Sequence, residues 1–255
     1  MTDTSWVDSH CHLYLHPDDP SAVLERAAVR GVRWVMCPGV DIASSKQARA
    51  LAAAFPETVR WSAGLHPHEA NRWSTEADDL ADLAAEAAAV GECGLDFYRN
   101  LAPRDAQIVA FRAQLELAAT LDKPIIVHCR DAFADVHDLL EAAAFGERAV
   151  LHCWTGGARW TKRFAALGVT FSFAGPLTYP TGETLRLAAV HAPPERTMLE
   201  TDTPYLTPEP HRADRNEPAL LPLTGAALAD VWGTDLAAVA ASTAAVATRI
   251  FGAPQ

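Results

Sequence analysis

Short apolar segments alternate with segments of helical spacing along almost the whole chain. Eight of them are typical of β-strands: SWVDSHCH (5–12), RWVMCPGV (33–40), VRWSAGLHPH (59–68), VGECGLDF (90–97), PIIVHCRD (124–131), AVLHCWTG (149–156), VTFSFAGP (169–176) and TMLETDTP (197–204). Strict alternation indicates parallel strands joined by crossover helices. Eight such units in 255 residues fit a closed barrel. We therefore predict an α/β fold, a single-domain (β/α)₈ TIM-type barrel over residues 1–255, rather than a doubly wound sheet, whose Gly-rich dinucleotide turn is missing.

Local signals place several helices between these strands. Asp19-Pro20 puts a proline at a first helical position, and Thr75 precedes an acidic first turn. A last helix is predicted over residues 234–251.

Charge and cysteine content limit the class of protein. The formal net charge is −11, from 21 Lys and Arg against 32 Asp and Glu, which argues against a broad basic face for duplex nucleic acid or an anionic membrane. The five cysteines form no CxxC pair, so a disulfide framework or a thiolate zinc site is not expected. No signal peptide and no apolar run of membrane-spanning length is visible. We predict a cytoplasmic protein with no membrane contact and no obligate protein partner.

Six histidines and carboxylates fall at the carboxyl ends of the predicted strands, which is the face where barrel enzymes assemble their sites. They are His10, His12, Glu92, His128, His152 and Asp202. A lone histidine after a strand is more often a hydrogen-bonded loop residue than a ligand, and Asp202 before Thr203-Pro204 can simply start a turn. Six such groups on one face are different, because burying them together without a cation leaves polar atoms unpaired. We predict a metal site.

The composition of this set indicates which cations it takes. Four imidazoles with two carboxylates suit zinc, manganese or iron better than calcium. Six ligands exceed the four of a closed structural zinc site and are enough for two cations that share a carboxylate. Such a pair activates a water for attack on phosphorus or on a carbonyl carbon.

Four cysteines each directly follow a predicted ligand: Cys11, Cys93, Cys129 and Cys153. Because side chains alternate along a strand, these thiols should point away from the barrel interior into the helix layer. We predict that they are buried apolar residues rather than ligands or nucleophiles, and that Cys37 is also in the core.

The chain resembles the TatD family of metal-dependent hydrolases, within the amidohydrolase-like barrels. The matching stretches are collinear: DSHCHL (8–13), GLHPH (64–68), GECGLDFYRN (91–100), PIIVHCRDA (124–132), LHCWTGG (151–157), SFAGPLTYP (172–180), LETDTPYLTP (199–208) and NEP (216–218). The resemblance implies a DNase or phosphodiesterase that trims the 3′ ends of single-stranded DNA. It also implies two divalent cations per subunit, with zinc, manganese or magnesium left open.

The resemblance also implies roles for individual residues. His10, His12 and Asp202 would hold one cation, His128 and His152 the other, and Glu92 would bridge both. Asp202 would in addition act as the general base. His66 would be catalytic or orient the substrate, although a loop histidine bonded to backbone is the duller alternative.

Three further residues are predicted to contact the substrate, namely Arg130, Arg99 and His68, of which His68 could instead support the ligands. Asp96 and Tyr98 would shape the rim, and Asp96 or Asp131 could pair with Arg130. Three positions depart from the family pattern: Tyr14 replaces a common Asp, Trp154-Thr155 a common Phe-Ser, and Val246 a common Asn. Trp154 is expected near the mouth, where it would influence which substrate fits.

Two other functions are compatible with the sequence. The same site could hydrolyse an amide or ester, such as a lactone, a cyclic amide or an aminoacyl-tRNA ester. Relatives that cleave cyclic amides often bridge their cations with a carboxylated lysine, but Lys46, Lys123 and Lys162 do not fall at strand ends. A non-catalytic barrel is the third reading, and the presence of all six candidate ligands speaks against it. With so few arginines at the mouth, nucleic-acid binding should depend weakly on salt.

Overall fold

A single parallel barrel organises the chain. The computed structural model describes residues 4–254. Within that range the eight strands are β1 (Trp6–Asp8), β2 (Val32–Pro38), β3 (Val59–Ala63), β4 (Ala89–Asp96), β5 (Ile125–Arg130), β6 (Ala149–Leu151), β7 (Thr170–Phe173) and β8 (Thr197–Leu199). Each strand pairs in parallel with the next one along the chain. The predicted (β/α)₈ barrel is confirmed.

The seam between β1 and β8 is closed by hydrogen bonds beyond the ends of these two short strands. Ser9 N donates to Leu199 O at 3.0 Å, Asp202 N to His10 O at 2.9 Å, and His12 N to Thr203 O at 2.9 Å. His10, His12 and Asp202 therefore lie in the segments that follow the strands, rather than within the strands as the sequence suggested.

The helices form the outer layer of the barrel. Across residues 4–254 the α-helices are α1 (Pro20–Val29), α2 (Ile42–Ala54), α3 (Trp73–Glu86), α4 (Arg104–Thr120), α5 (Phe133–Ala142), α6 (Gly157–Ala166), α7 (Glu183–His191), α8 (Leu221–Trp232) and α9 (Leu236–Phe251). No helix in this part of the chain is long and apolar enough to cross a membrane.

Side-chain caps explain where these helices begin. The Asp19 carboxylate accepts from Ser21 N, and α1 starts at Pro20 as predicted. The Asp235 carboxylate accepts from Ala238 N, so α9 starts two residues after the predicted bound. α3 begins at Trp73 rather than at Thr75, because the 3₁₀ turn Pro67–Arg72 runs directly into it.

The barrel interior is filled by every second strand residue. Val7, Met36, Ile126, Val150 and Met198 belong to one buried cluster, and α9 adds Val246 and Phe251 to it while packing against β1 and β8. Side chains alternate along a strand, so the residues two places later also face the interior, nearer to the carboxyl ends. These residues include His128, His152 and Glu200.

The helix layer contains most of the cysteines, as predicted. Cys11, Cys37, Cys93 and Cys129 lie in the large buried cluster between strands and helices, and burial raises the pKa of each thiol. The prediction is wrong for Cys153. This residue adopts a left-handed conformation with φ of 43°, is only partly buried and lines a cavity at the mouth. Alternation requires extended backbone, and the left-handed conformation of Cys153 ends it, so it no longer directs this side chain.

Two glycines allow the close approach of β3 and β4 that places Glu92. A Cβ atom on Gly64 would lie 2.4 Å from the Gly91 Cα and 2.7 Å from the Glu92 backbone nitrogen. Gly91 itself has a φ of 126°, which L side chains rarely adopt. The glycines in GLHPH and GECGLD are therefore explained by the space and the backbone conformation beside Glu92.

We expect Gly64→Ala to destabilise the protein by about 1–3 kcal/mol, because the new methyl group meets backbone atoms that cannot rotate away. The measurement is urea unfolding followed by circular dichroism. Ser62→Ala is the matched control, since Ser62 is equally buried and its hydroxyl has no hydrogen-bond partner among the described residues. The control should unfold at the wild-type urea concentration. A Gly64→Ala midpoint equal to that of wild type would contradict the close approach.

Candidate metal centre

The structure brings all six predicted ligand residues together at the mouth of the barrel. A first set of donor atoms lies around His10 Nε2. His12 Nε2 is 3.2 Å away, Glu92 Oε2 is 3.2 Å away and Asp202 Oδ1 is 3.8 Å away. His12 Nε2 is 3.6 Å from both carboxylate oxygens. Four ligands about 2.1 Å from a tetrahedral cation would be separated by about 3.4 Å, which these distances approximate.

A second set of donor atoms surrounds the other oxygen of Glu92. Glu92 Oε1 is 2.9 Å from His152 Nε2 and 3.1 Å from His128 Nδ1, and these two nitrogens are 3.2 Å apart. The carboxylate of Glu92 thus presents one oxygen to each set. The burial of Glu92 would by itself raise its pKa, but the imidazoles of His152, His66 and His10 hold that pKa well below its ordinary value.

Outer hydrogen bonds fix the tautomers of three of these histidines. The Tyr14 hydroxyl donates to Pro38 O, so His12 Nδ1, 3.0 Å from that hydroxyl, must be the donor to it. His128 Nε2 faces Asp96 Oδ2 at 3.3 Å, and His152 Nδ1 faces Glu200 Oε1 at 3.3 Å. A neutral imidazole carries one proton, so in each case the nitrogen turned toward the centre has a free lone pair.

These lone pairs explain why the donor sets fit divalent cations. His10 Nε2 and His12 Nε2 face each other at 3.2 Å, as do His128 Nδ1 and His152 Nε2. The His10 tautomer is not fixed in this way, but in the second pair two neutral nitrogens with lone pairs cannot form a hydrogen bond, and His128 and His152 are largely removed from water. A cation between them satisfies both, and a histidine whose far nitrogen donates to a carboxylate is the usual arrangement of a metal ligand.

His66 lies beside the second set but has a different hydrogen-bonding state. Its Nδ1 accepts from His68 N at 3.2 Å, and its Nε2 lies 3.4 Å from Glu92 Oε1. Burial lowers the pKa of His66 to about 4, so the ring is neutral near pH 7 and its proton is on Nε2. A protonated Nε2 is a hydrogen-bond donor rather than a ligand, which agrees with leaving His66 out of the ligand set.

Asp96 connects this centre to the rim. Its Oδ2 faces His128 Nε2 and His68 Nε2, the latter at 2.9 Å. Its Oδ1 accepts from the backbone nitrogens of Tyr98 at 3.1 Å and Arg99 at 2.7 Å. Burial would raise the pKa of Asp96, but the hydrogen bonds from these groups keep it below its ordinary value. His68, predicted to contact substrate, is thus held mainly as a partner of Asp96, although its ring also lines the cavity.

Two buried polar side chains fix the loop that contains Asp202. Asp202 has a φ of 57°, and the Asn216 amide, fully buried, donates to the backbone oxygens of Thr201 and Tyr205 on either side of it. The Asp8 carboxylate accepts from Thr201 N at 2.9 Å and from Thr201 Oγ1 at 2.5 Å. Asn216 and Asp8, the ends of the NEP and DSHCHL stretches, therefore position the loop.

Two cavities open onto the donor atoms. The larger, about 470 Å³, is lined by His66, His68, Glu92 and Asp96 among others, and the second is about 350 Å³. Arg99 and Arg130, two of the predicted substrate contacts, line both. Arg130 makes no ion pair with Asp96 or Asp131 in the described part of the chain. Its guanidinium lies instead 4.0 Å from the centroid of the Tyr98 ring.

Sequence reasoning missed Glu200 and misplaced Trp154. Glu200 is fully buried under the centre, and its Oε1 also accepts from Cys153 N at 2.8 Å. The available signal was its position two residues after Met198 on the inward face of β8. Trp154 was expected at the mouth, but it packs into the helix layer against Phe164, and its Nε1 donates to Thr161 at 2.7 Å. Trp154 therefore does not contact a substrate.

Comparison with known proteins agrees with this geometry. A model of the TatD related DNase family matches residues 7–252. The chain is 37% identical over 243 residues to a protein of Pectobacterium parmentieri named 3′-5′ ssDNA/RNA exonuclease TatD, covering 91% of this chain and 93% of that one. It is 38% identical over 247 residues to the protein of the same name from Escherichia fergusonii, covering 92% and 93%.

Solved structures show the same fold. YJJV, a TatD homologue from Escherichia coli K12, superposes with a TM-score of 0.89 at 25% identity and covers 99% of this chain and 100% of its own. A TatD family hydrolase from Entamoeba histolytica gives a TM-score of 0.87 at 19% identity over 97% and 98%. On the match of the family model and the identity to these relatives, the chain belongs to the TatD-related DNase family.

Proposed function

We propose that this chain, as one domain over residues 1–255, is a metal-dependent 3′-5′ exonuclease that trims single-stranded DNA or RNA ends. The observation that carries the proposal is the division of the Glu92 carboxylate between two sets of histidine and carboxylate donors. Membership of the TatD-related DNase family and the exonuclease relatives support the substrate class. The free cysteines are compatible with the reducing cytoplasm, where we place the protein.

The proposed cofactors are two divalent cations, zinc, manganese or magnesium. His10, His12, Asp202 and Glu92 would hold one, and His128, His152 and Glu92 the other. When bound, the cations supply electrophilic stabilisation of the charge that develops on phosphoryl oxygens.

The chain's own residues supply orientation and proton transfer. Asp202 reaches the centre from a rigid loop and is the group that takes the proton of the attacking water. The Nε2 proton of His66 is directed toward the centre, where it can be donated to a phosphoryl oxygen that displaces Glu92 Oε1 as its partner. Arg99 and Arg130, at the rim of both cavities, provide positive charge for the phosphate groups.

Hydrolysis of an amide or an ester is not supported to the same degree. Lys123, one of three lysines, donates its ammonium protons to the carbonyls of Ala84, Ala85 and Ala87 at the end of α3, remote from the centre. Glu92 would bridge the two cations, so no carboxylated lysine would be required. The aminoacyl-ester activity has no observation in its favour, and the relatives named above are exonucleases.

We expect Asp202→Asn to reduce the release of nucleotides from single-stranded DNA by at least about 10²-fold, because the proton acceptor is lost. The assay uses a 3′-labelled oligonucleotide with Zn²⁺, Mn²⁺ or Mg²⁺, and with EDTA as the metal-free control. His191→Ala, a histidine at the end of α7, is the matched control and should keep wild-type activity. Wild-type protein that releases no nucleotide with any of the three proposed cations would overturn the proposed function.

The outer hydrogen bonds predict which cation each substitution affects. We expect Asp96→Asn and Glu200→Gln each to lower the affinity for the cation of His128 and His152 by about 10–100-fold, because the ligand histidine loses the partner that orients it. Tyr14→Phe should lower the affinity for the cation of His10 and His12 by a similar factor, for the same reason. Metal retention against a chelator, measured by elemental analysis, reports this independently of activity. Asp138→Asn, an exposed carboxylate on α5, is the control. Two cations retained with wild-type affinity in all three variants would contradict the assignment.

We expect the affinity for single-stranded DNA to fall only slightly with salt. Each neutralised phosphate contributes about 0.7 to the slope of log affinity against log salt, so Arg99 and Arg130 together give about 1.4. Fluorescence anisotropy with the Asp202→Asn protein measures this slope, and Arg130→Gln should reduce it by about half. A slope above about 4 would show a much larger basic surface than these two residues provide.

A further inference from the structure

An exposed tyrosine is held rigidly at the centre of the mouth. The Tyr205 side chain is 54% exposed, and its ring centroid lies 6.2 Å from that of His12. Its backbone is not free to move, because Tyr205 N donates to Asp202 O at 2.8 Å and Asn216 Nδ2 donates to Tyr205 O. Tyr205 thus presents a fixed aromatic ring to solvent beside the donor atoms, within reach of a ligand that occupies the mouth.

A second flat surface lies across the mouth. Tyr98 follows β4 and Tyr205 follows β8, so three strands of the eight-stranded barrel lie between them in either direction. The Tyr98 side chain is 61% exposed and carries the Arg130 guanidinium 4.0 Å above its ring. The backbone of Tyr98 is fixed by Asp96, which also faces His128. The Arg130–Tyr98 stack is therefore placed by the same carboxylate that orients a candidate ligand.

Tyr205 and the Arg130 guanidinium of the stack both line the two cavities, whereas Tyr98 lies behind Arg130 and lines neither. Arg130 and Tyr205 line the cavity of about 470 Å³ as well as the cavity of about 350 Å³, together with His128, His152 and Asp202. A chain-like substrate with its reacting group at the donor atoms would thus extend into both cavities. Its groups on either side of that point would lie against Tyr205 and the Arg130–Tyr98 stack.

The chemistry of these surfaces suits nucleobases. Aromatic rings and guanidinium planes stack on bases whatever their sequence, and this stacking is how proteins hold single strands. Bases in a duplex are already stacked and cannot use such surfaces. With a formal net charge of −11 over the chain, a broad basic groove is not expected, so base stacking would add to the phosphate contacts of Arg99 and Arg130.

We propose that Tyr205 and the Arg130–Tyr98 stack form a base clamp, which holds the two nucleotides on either side of the phosphodiester that is cut in a single-stranded end. This inference rests on the proposed function. It adds the parts of the substrate that are recognised, namely two unpaired bases, and it assigns that recognition to residues outside the candidate ligand set.

The test compares a ten-nucleotide oligothymidylate with the same strand carrying abasic residues at its last two 3′ positions. We expect wild-type kcat/KM to be lower by about tenfold or more on the abasic strand, because each base that stacks on a side chain contributes about that factor to binding. Tyr205→Ala should lose about tenfold on the normal strand and show a smaller further loss on the abasic one. Tyr98→Ala should behave in the same way, whereas Tyr205→Phe, which keeps the ring, should match wild type.

The matched control is Leu101→Ala. Leu101 is 65% exposed and lines the same cavity, but it is not aromatic. It should leave both rates unchanged. Equal losses on the two strands in Tyr205→Ala and Tyr98→Ala, or no loss on either, would overturn the base clamp.

A binding measurement separates failure of the clamp from failure of the proposed function. Fluorescence anisotropy with the Asp202→Asn protein should show the normal strand binding at least about tenfold more tightly than the abasic strand. The double variant Asp202→Asn with Tyr205→Ala should bind the two strands more nearly alike. If wild type cuts neither strand but this difference in binding is present, the exonuclease proposal fails while the clamp stands. If the two strands bind equally, the clamp fails even if both are cut.

Discussion

The mouth of the barrel depends on one buried carboxylate shared between two groups of imidazoles. Burial would raise the pKa of Glu92, but the imidazoles of His152, His66 and His10 hold that pKa well below its ordinary value. Gly64 and Gly91 leave the space for the Glu92 backbone. Asp96, Glu200 and Tyr14 orient three of the four candidate ligand histidines so that the free nitrogen of each points inward.

The partners of these histidines differ in charge. His128 and His152 face carboxylates, whereas His12 faces the neutral hydroxyl of Tyr14. That hydroxyl donates its own hydrogen bond to the backbone oxygen of Pro38. A carboxylate partner makes an imidazole a stronger electron donor than a hydroxyl does. In this chain the first donor set therefore has a neutral outer partner, and His12 still keeps the tautomer that a ligand needs.

Much of the architecture followed from the sequence, for an identifiable reason. The period of two along β5 and β6 correctly placed His128 and His152 inside the barrel, and Cys129 outside it. The same rule applied to β8 indicates that Glu200 faces the interior as well. The rule requires extended backbone, and Cys153, with a φ of 43°, is not extended, which explains the error on this residue. Trp154 was misplaced for a related reason, since only the packing of α6 shows that its ring turns into the helix layer.

Contacts made by long side chains were also beyond the sequence. Nothing in the spacing of Asp96 indicates that its two oxygens serve a histidine of β5 and the backbone of the rim at once, and the pairing of Arg130 with Tyr98 rather than with a carboxylate depends on the path of the loop after β4. The NEP stretch matched the family, but the reason that Asn216 is needed became clear only from its two hydrogen bonds to the Asp202 loop.

The first donor set spans the seam where β1 and β8 close the barrel. β1 and β8 are three residues each and meet mainly through the segments beyond them, and His10 and His12 come from one side of that seam while Asp202 comes from the other. A cation held by all three residues would join the two sides of this seam. Because ligand binding to the native state adds to stability by mass action, removing such a cation with a chelator would weaken the contact between β1 and β8.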